Sequence, residues 1–390
     1  MASCYHGVDN EEISRLTAEL LSLSERPSLS DTVAYKYEPL EEGHIRLITL
    51  LPGRAHDQIR LKLQHVDFAN PPPYCALSYV WGTPEPRCNV WIGDQTFEIG
   101  PNLYAALSQI RSKNAALIIW IDAVAINQSD NREKSKQIPQ MATLYRRAER
   151  VIAWLGETEE SAAVAFAFLD LWARWDRHGV ELQRELTAEL KFVIFPKYSI
   201  TVIGECLRRF CRRPFFRRAW TWQEICTPAD RPAIFCCGED VILIDTVRDA
   251  FYSMLATLTR SEQGDLLGVA GEVMWTAIAH QQQPGDTISF TSTVAHMDRR
   301  EASNVLDHIY AYRGMFSAPE GSYPDPDYDL PVHEVFTSYT RASIRLEKSL
   351  HIISRIRPGE AYWNIPSWAV KPPPLTSHWS YVGSEFESAR

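Results

Sequence analysis

Residues 115–121 (AALIIWI) form a continuous apolar run that stops before Asp122, and this run is the clearest indication of the fold in the sequence. A run of strand length without alternating polar residues is typical of a parallel strand whose two faces are both covered. Two further segments, 74–79 (YCALSY) and 151–155 (VIAWL), have the same character. Helical patterns fill the intervals between the three strands. The spacing therefore predicts right-handed crossovers and a doubly wound parallel sheet in an α/β fold.

Helices and additional strands are predicted on both sides of this core. The interval after residue 100 has a helix with Leu103, Ala106, Leu107 and Ile110 on one face, and a charged helix runs from about 132 to 148. The other predicted elements are helices over 13–23, 161–175, 181–190, 247–258, 302–312 and 335–346, strands over 44–51, 59–68 and 351–356, a β-rich stretch over 90–99 with a turn at Gly93-Asp94, and a hairpin over 234–244.

Three consecutive prolines at 71–73 mark a rigid boundary in the chain. We therefore predict an N-terminal extension of a helix and strands over 1–70 and an α/β core over 71–230. A helical region over 231–390 is expected to be integrated with that core.

The composition narrows the possible functions. Apolar residues make up 45% of the 390 residues and charged residues 23%, which is typical of a folded globular protein. The formal charge of -9 disfavours binding to nucleic acids and to anionic membranes. Neither a secretory signal nor an apolar run of membrane-spanning length is found, so we expect a cytoplasmic protein whose eight cysteines are reduced.

Common catalytic motifs are missing from the sequence. A phosphate-binding G-x-x-x-x-G-K-[ST] loop, a G-x-G-x-x-G fingerprint, a G-x-S-x-G elbow and an H-E-x-x-H pair are all absent. The eleven histidines are scattered along the chain and no C-x-x-C pair occurs. We therefore predict neither a metal site nor a bound cofactor.

Polar residues at the predicted carboxyl ends of two strands form a first candidate site. Ser78, Tyr79, Trp81 and Gly82 lie at the end of the strand over 74–79, and Asp122 follows the run over 115–121. Ligands of open α/β sheets bind outside the carboxyl ends of the strands, so these five residues are predicted to bind substrate. The alternative for Asp122 is that it caps the helix or turn that follows.

A block of arginine and aromatic residues over 207–225 is the second candidate. It has six arginines within the eleven residues 208–218, followed by Trp220, Trp222 and Glu224. On a helix Trp220 and Glu224 share a face, so an aromatic ring stands beside a carboxylate. Nearby arginines are expected to lower the pKa of Glu224, which favours a charge stabiliser over a proton donor. The alternative is an arginine network that packs on aromatic rings and pairs with acids.

Four motifs occur in order over about 150 residues: 74–82 (YCALSYVWG), 120–128 (WIDAVAINQ), 141–156 (MATLYRRAERVIAWLG) and 213–220 (RPFFRRAW) with Gln223-Glu224. Together they resemble the fungal heterokaryon incompatibility (HET) domain. Segments at 300–302, 307–311 and 365–368 resemble regions that follow this domain in other members. The resemblance implies a role in self/non-self recognition between fungal cells and in programmed cell death.

The HET domain is in turn similar to Toll/interleukin-1 receptor (TIR) domains, which have a flavodoxin-like sheet. Many TIR domains hydrolyse NAD with a glutamate in a W-x-x-x-E pattern, which Trp220 and Glu224 match here. This resemblance implies that Glu224 stabilises the ribosyl cation as nicotinamide departs. It also implies that the arginines of the block over 207–225, including Arg217, bind the pyrophosphate and that Trp220 or Tyr79 stacks on a ring of NAD.

Two other functions remain open from the sequence. One is a non-enzymatic signalling module that associates with itself or with a fungal incompatibility partner through the arginine and tryptophan block, since both residue types are favoured interface anchors. The other is an enzyme of small-molecule biosynthesis that binds an apolar metabolite in an aromatic pocket of the same fold.

Overall fold

The computed structural model describes most of the chain from Val33 to residue 373. The described residues are 33–83, 85–177, 198–226, 233–257, 289–297, 300–316, 319, 321–356 and 364–373. The helices predicted over 13–23 and 181–190 lie outside these ranges.

A mixed sheet of nine strands organises the described residues. In chain order its strands are β1 (His44–Leu50), β2 (Arg60–Asp67), β3 (Cys75–Tyr79), β4 (Cys88–Ile92), β5 (Gln95–Ile99), β6 (Leu117–Trp120), β7 (Arg150–Trp154), β8 (Ala233–Cys237) and β9 (Asp240–Leu243). Across the sheet the order is β5-β4-β2-β1-β6-β3-β7-β8-β9. The strands predicted from 44 to 155, and the hairpin over 234–244, are confirmed.

The centre of the sheet is parallel, and its edges are not. Strand β3 pairs in parallel with β6 on one side and with β7 on the other, and β7 pairs in parallel with β8. Strand β1 runs antiparallel to β6 and to β2, so it joins the N-terminal hairpin to the same sheet. The predicted α/β class is therefore confirmed, but the sheet is mixed where a parallel sheet was predicted.

Helices cover the sheet. They are α1 (Pro101–Ile110), α2 (Asp122–Ala125), α3 (Asn131–Gln137), α4 (Met141–Arg147), α5 (Glu160–Arg177), α6 (Ile200–Cys211), α7 (Ala219–Cys226), α8 (Ile244–Thr257), α9 (Phe290–Met297), α10 (Asp307–Arg313) and α11 (Val332–Glu347). Helices α5, α6 and α8 pack together, and α7 packs against α4, α10, β3 and β7. The central strands are thereby buried, and β3 is buried over its whole length.

Two sequence predictions need correction. The helix predicted from 132 to 148 is divided into α3 and α4 by a 3₁₀ turn over Ile138–Gln140, where Pro139 has no N–H for the helical ladder. The strand predicted over 351–356 is wrong, because His351–Arg355 forms a 3₁₀ helix. Its backbone hydrogen bonds are local, since the N–H of Ile353 donates to the carbonyl oxygen of Leu350 at 2.9 Å.

Among the described residues, no helix is both long and apolar enough to cross a membrane.

Candidate active site

Glu224 and Ser78 meet inside the protein, where helix α7 crosses strand β3. The hydroxyl of Ser78 donates a hydrogen bond to Oε2 of Glu224. Glu224 is only 1% exposed, and its other oxygen, Oε1, has no hydrogen-bond partner in the described part of the chain. A buried carboxylate oxygen without a donor is costly, which marks this position as one shaped by something other than stability.

Asp122 supplies a second buried carboxylate at the adjacent strand end. It opens α2 directly after β6, and it is 6% exposed. The indole N–H of Trp81 donates to its Oδ2 at 3.0 Å, and the backbone N–H of Ala123 donates to its Oδ1 at 2.7 Å. Asp122 therefore holds the Trp81 loop to the first turn of α2.

Arg218 lies between these groups. Its guanidinium donates to the carbonyl oxygen of Tyr79, lies 3.8 Å from Oδ2 of Asp122 and sits over the ring of Trp81 at 5.3 Å from the centroid. One cation thus faces the two carboxylates of Asp122 and Glu224. We call these four residues, Ser78, Asp122, Arg218 and Glu224, the carboxylate cluster.

Burial controls the ionisation of the cluster. It raises the pKa of Glu224 to about 7, although Arg218 and the Ser78 hydrogen bond both act to lower it, and the neighbouring Asp122 raises it further. The pKa of Asp122 is raised for the same reason, against the effect of Arg218. The sequence prediction of a low pKa for Glu224 is therefore wrong, because loss of solvent outweighs the arginine.

The other residues predicted from the first strand end lie close by. Tyr79 is buried, and burial raises the pKa of its hydroxyl well above the ordinary value. Gly82 has φ +72°, a left-handed conformation that favours glycine and turns the chain after Trp81. Trp81 is 41% exposed and is the most accessible of these residues.

The arginine and tryptophan block is divided by the fold. Arg217, predicted to bind substrate, points to the surface and pairs with Glu301 at 2.6 Å, while its neighbour Arg218 enters the cluster. Trp220 is buried and hydrogen-bonds to Asp307. The structure thus places Arg218 and not Arg217 in the cluster, a difference that neither spacing nor residue type can predict for two adjacent arginines.

The cluster has the features of a site for developing positive charge. Two carboxylates and one guanidinium are held in a region of low dielectric, where an ionised acid attracts a cation more strongly than it does in water. In the described residues we find no group of three or more His, Cys, Asp or Glu side chains arranged to hold a metal ion.

The fold and the cluster together define an α/β domain with buried acids at the carboxyl ends of parallel strands. Residues 74–224 match the family model described as "Heterokaryon incompatibility protein (HET)". This segment of the chain is therefore similar to a HET domain, as the sequence motifs predicted, and the matched segment ends at Glu224.

A curated fungal protein is similar over part of its length. "Heterokaryon incompatibility protein 6, OR allele" of Neurospora crassa is 30% identical over 235 residues, which cover 51% of this chain and 34% of the relative. The match thus spans about a third of that protein. No solved structure matches the chain significantly.

Proposed function

We propose that the HET domain of this chain hydrolyses NAD at the bond between nicotinamide and ribose, with Glu224 as the catalytic residue. The observation that carries the proposal is the buried carboxylate of Glu224, whose Oε1 has no donor among the described residues and which lies beside Asp122 and Arg218 at the carboxyl ends of β3 and β6. Perturbed acids in such positions are concentrated at functional sites.

The reaction needs a stabilised cation. The bond from the ribose carbon to the pyridinium nitrogen breaks, its electron pair goes to the nitrogen, and nicotinamide leaves as a neutral molecule. The positive charge remains on the ribose as an oxocarbenium ion, which ionised Glu224 stabilises. Water then adds to this carbon and loses a proton, so that the products are nicotinamide, ADP-ribose and H⁺.

The arrangement of strands supports a nucleotide in this place. The parallel strands lie side by side in the order β6-β3-β7-β8. Numbered by their sequence along the chain, this order is 2-1-3-4, which agrees with the beginning of the flavodoxin-like order 2-1-3-4-5. In such sheets a ligand binds at the carboxyl ends, where crossovers leave in opposite directions, and Ser78 and Tyr79 end the strand at that point. The order supports a relation to TIR domains.

Arg218 rather than Arg217 has the position to meet an anionic part of the substrate. The side chain of Arg218 is 16% exposed, and its guanidinium lies over the ring of Trp81, the outermost residue of the site. Trp220, which is held by Asp307, is assigned a structural role. The stacking role passes to Trp81, whose ring is 41% exposed.

We assign the biological role by similarity. The relative is named for heterokaryon incompatibility. We propose that cleavage of NAD by this chain contributes to self/non-self recognition between fungal cells and to the death of incompatible fusions.

Incubation of the purified protein with NAD, followed by chromatography for nicotinamide and ADP-ribose, tests the proposal. We expect Glu224→Gln to lower the rate by about 100-fold or more, because the neutral amide removes the charge that stabilises the transition state. Glu205→Gln, on the exposed face of α6, is the matched control and should retain the activity. Equal release of nicotinamide by the Glu224→Gln variant would overturn the assignment.

The non-enzymatic alternative has less support from the structure. Its interface was expected to combine arginine with tryptophan, yet Trp220 and Trp222 are 7% and 1% exposed. Arginines of the block do lie at the surface, such as Arg209 and Arg217, whose side chains are 61% and 58% exposed. If Arg217→Glu abolished assembly in light scattering while NAD remained intact, the alternative would replace the enzyme.

A further inference from the structure

Helix α7, which carries Glu224, is held by a segment that lies outside the residues matched by the HET family. The match ends at 224, whereas the contacts described below come from residues 300–314. These contacts are made with the chain just before α7 and with Trp220, Trp222 and Gln223 on the helix itself. We call Arg300, Glu301, Asp307 and Gly314 the clamp.

The backbone of Glu301 pairs with the chain on both sides of Arg218. Its N–H donates to the carbonyl oxygen of Arg217 at 2.5 Å, and its carbonyl oxygen accepts from the N–H of Ala219 at 2.9 Å. The pairing forms an isolated parallel bridge between Arg218 and Glu301. The backbone that aims the guanidinium of Arg218 is thus fixed by a residue 83 positions further along the chain.

Arg300 holds the same region through its side chain. It is 4% exposed, its guanidinium donates to the carbonyl oxygen of Phe216, and it lies over the ring of Trp222 at 4.9 Å from the centroid. A guanidinium that is both hydrogen-bonded and stacked fixes orientation as well as position. Arg300 therefore connects the 3₁₀ turn over Pro214–Arg217, just before α7, to Trp222 on this helix.

Asp307 and Gly314 complete the clamp at the two ends of α10. Asp307 hydrogen-bonds to Trp220 and accepts from the hydroxyl of Tyr328 at 2.6 Å. The N–H of Gly314 donates to Oε1 of Gln223 at 3.2 Å. A Cβ at position 314 would lie 2.6 Å from that oxygen and 2.3 Å from Cβ of Ala142, so no larger residue fits unless Ala142 and the side chain of Gln223 move.

We propose that Arg300 and Asp307 are positioning residues of the active site, which place Arg218 and Glu224 against Ser78 and Asp122. The segment 300–314 is then part of the site, although it lies outside the family match. The inference rests on the proposed function only in taking the carboxylate cluster as the site.

The ionisation of Glu224 reports on this placement. The groups that face its carboxylate are Arg218, Asp122 and the hydroxyl of Ser78, with the hydroxyls of Tyr79 and Tyr145 nearby. Among these Arg218 is the strongest influence that lowers the pKa of Glu224. If the clamp is loosened and Arg218 moves away, the pKa of Glu224 must rise.

Infrared difference spectra of the full chain, with the Glu224→Gln variant subtracted, follow the protonated carboxyl group of Glu224 as pH is varied. In the Arg300→Met variant we expect the midpoint to rise by about one pH unit, as for loss of a nearby opposite charge. Arg300→Lys should restore part of the shift. The control is Arg341→Met, since Arg341 lies over Trp368 at 5.7 Å in another part of the chain and should leave the midpoint unchanged.

Gly314→Ala gives a second, independent disturbance of the clamp, and it is used if Arg300→Met does not fold. Its Cβ would clash with Ala142 on α4, which packs against α7, and with the side chain of Gln223, the residue before Glu224, so the same midpoint should move. A variant that is less stable but keeps the midpoint of the unaltered protein would show that the clamp only supports the fold, and the proposal would be withdrawn. Because the titration needs no NAD, a shift in a protein that releases no nicotinamide would support the clamp and reject only the proposed reaction.

Discussion

Two buried arginines, Arg46 and Arg218, face carboxylates in different parts of the sheet and are satisfied to very different degrees. Arg46 binds both oxygens of Glu133, at 2.5 and 3.0 Å, and also donates to two backbone carbonyls. Arg218 lies 3.8 Å from Asp122, and Glu224 beside it has an oxygen without a donor in the described chain. Both regions are buried, so burial alone does not explain the difference.

The contrast separates an ion pair that supports the fold from the charges of the proposed active site. A buried pair stabilises only when its geometry is close and its remaining polar atoms are bonded, which describes Arg46 and Glu133. The carboxylate cluster meets neither condition, and enzymes commonly hold their reactive groups in such unsatisfied surroundings. Removal of an acid should therefore have opposite effects on stability in the two regions.

The largest effect on stability is expected from Glu133→Ala. The substitution leaves Arg46, whose side chain is fully buried, without its carboxylate, and we expect the free energy of unfolding to fall by roughly 3–5 kcal/mol. Urea denaturation at neutral pH measures the change. Asp245→Ala, which removes an exposed pair with Arg248, should change it by no more than about 0.5 kcal/mol. A loss below about 1 kcal/mol for Glu133→Ala would remove the contrast between the regions.

Glu224→Gln is expected to stabilise the protein, by an amount that depends on pH. The pKa of Glu224 is about 7 in the folded protein, against an ordinary value of 4.5 that applies when unfolded. The stability contributed by this group is thus present below pH 4.5 and is lost as pH rises through 7. Gln does not ionise, so the variant keeps its stability as pH rises. It should be more stable than the unaltered protein by about 3 kcal/mol above pH 7, with no difference below pH 4.5.

Urea midpoints measured on both sides of this pH range check the prediction. A Glu224→Gln variant that is less stable than the unaltered protein at every pH would place this acid with Glu133, as a group that supports the fold.

A smaller effect is expected from Ser78→Ala. The hydroxyl donates to ionised Glu224, and a hydrogen bond to a charged group contributes roughly 1.5 kcal/mol, so its removal should raise the pKa of Glu224 by about one pH unit. Since the proposed reaction needs ionised Glu224, the rise of the rate with pH should move to higher pH while the plateau is retained. Rates of nicotinamide release across the pH range measure this shift, and Ser108→Ala on α1 serves as the control. An unshifted profile would mean that Glu224 does not set it.

The strands could be predicted from the sequence because their signals are local. Continuous apolar runs predicted β3, β6 and β7, and the carboxyl ends of β3 and β6 identified Ser78 and Asp122 as neighbours in space. The pairing of β1 with β6 could not be predicted, since the two strands are far apart in the chain and nothing in either one specifies its partner. The result is a mixed sheet where a parallel one was expected.

The chemistry of the site was less accessible than the fold. The pKa of Glu224 depends on how completely the folded chain around it excludes water, and the spacing of residues in the sequence does not predict that. Arg46 was missed as well, although a charged residue inside the apolar strand 44–50 (HIRLITL) is itself a signal of a buried pair. The choice between Arg217 and Arg218 needed the bridge to Glu301, which joins distant parts of the chain.

The strand order also has a consequence for synthesis on the ribosome. Strand β1 pairs with β6, and β3 pairs with both β6 and β7. Strand β1 therefore lacks its central neighbour until residue 120 has emerged, and β3 lacks one of its two neighbours until residue 154 has emerged. At about 5–20 residues per second, the first part of the chain waits several seconds with unpaired edges. Such long-range pairing slows folding and favours aggregation, and a nascent chain of this topology is expected to depend on chaperones until β7 joins the sheet.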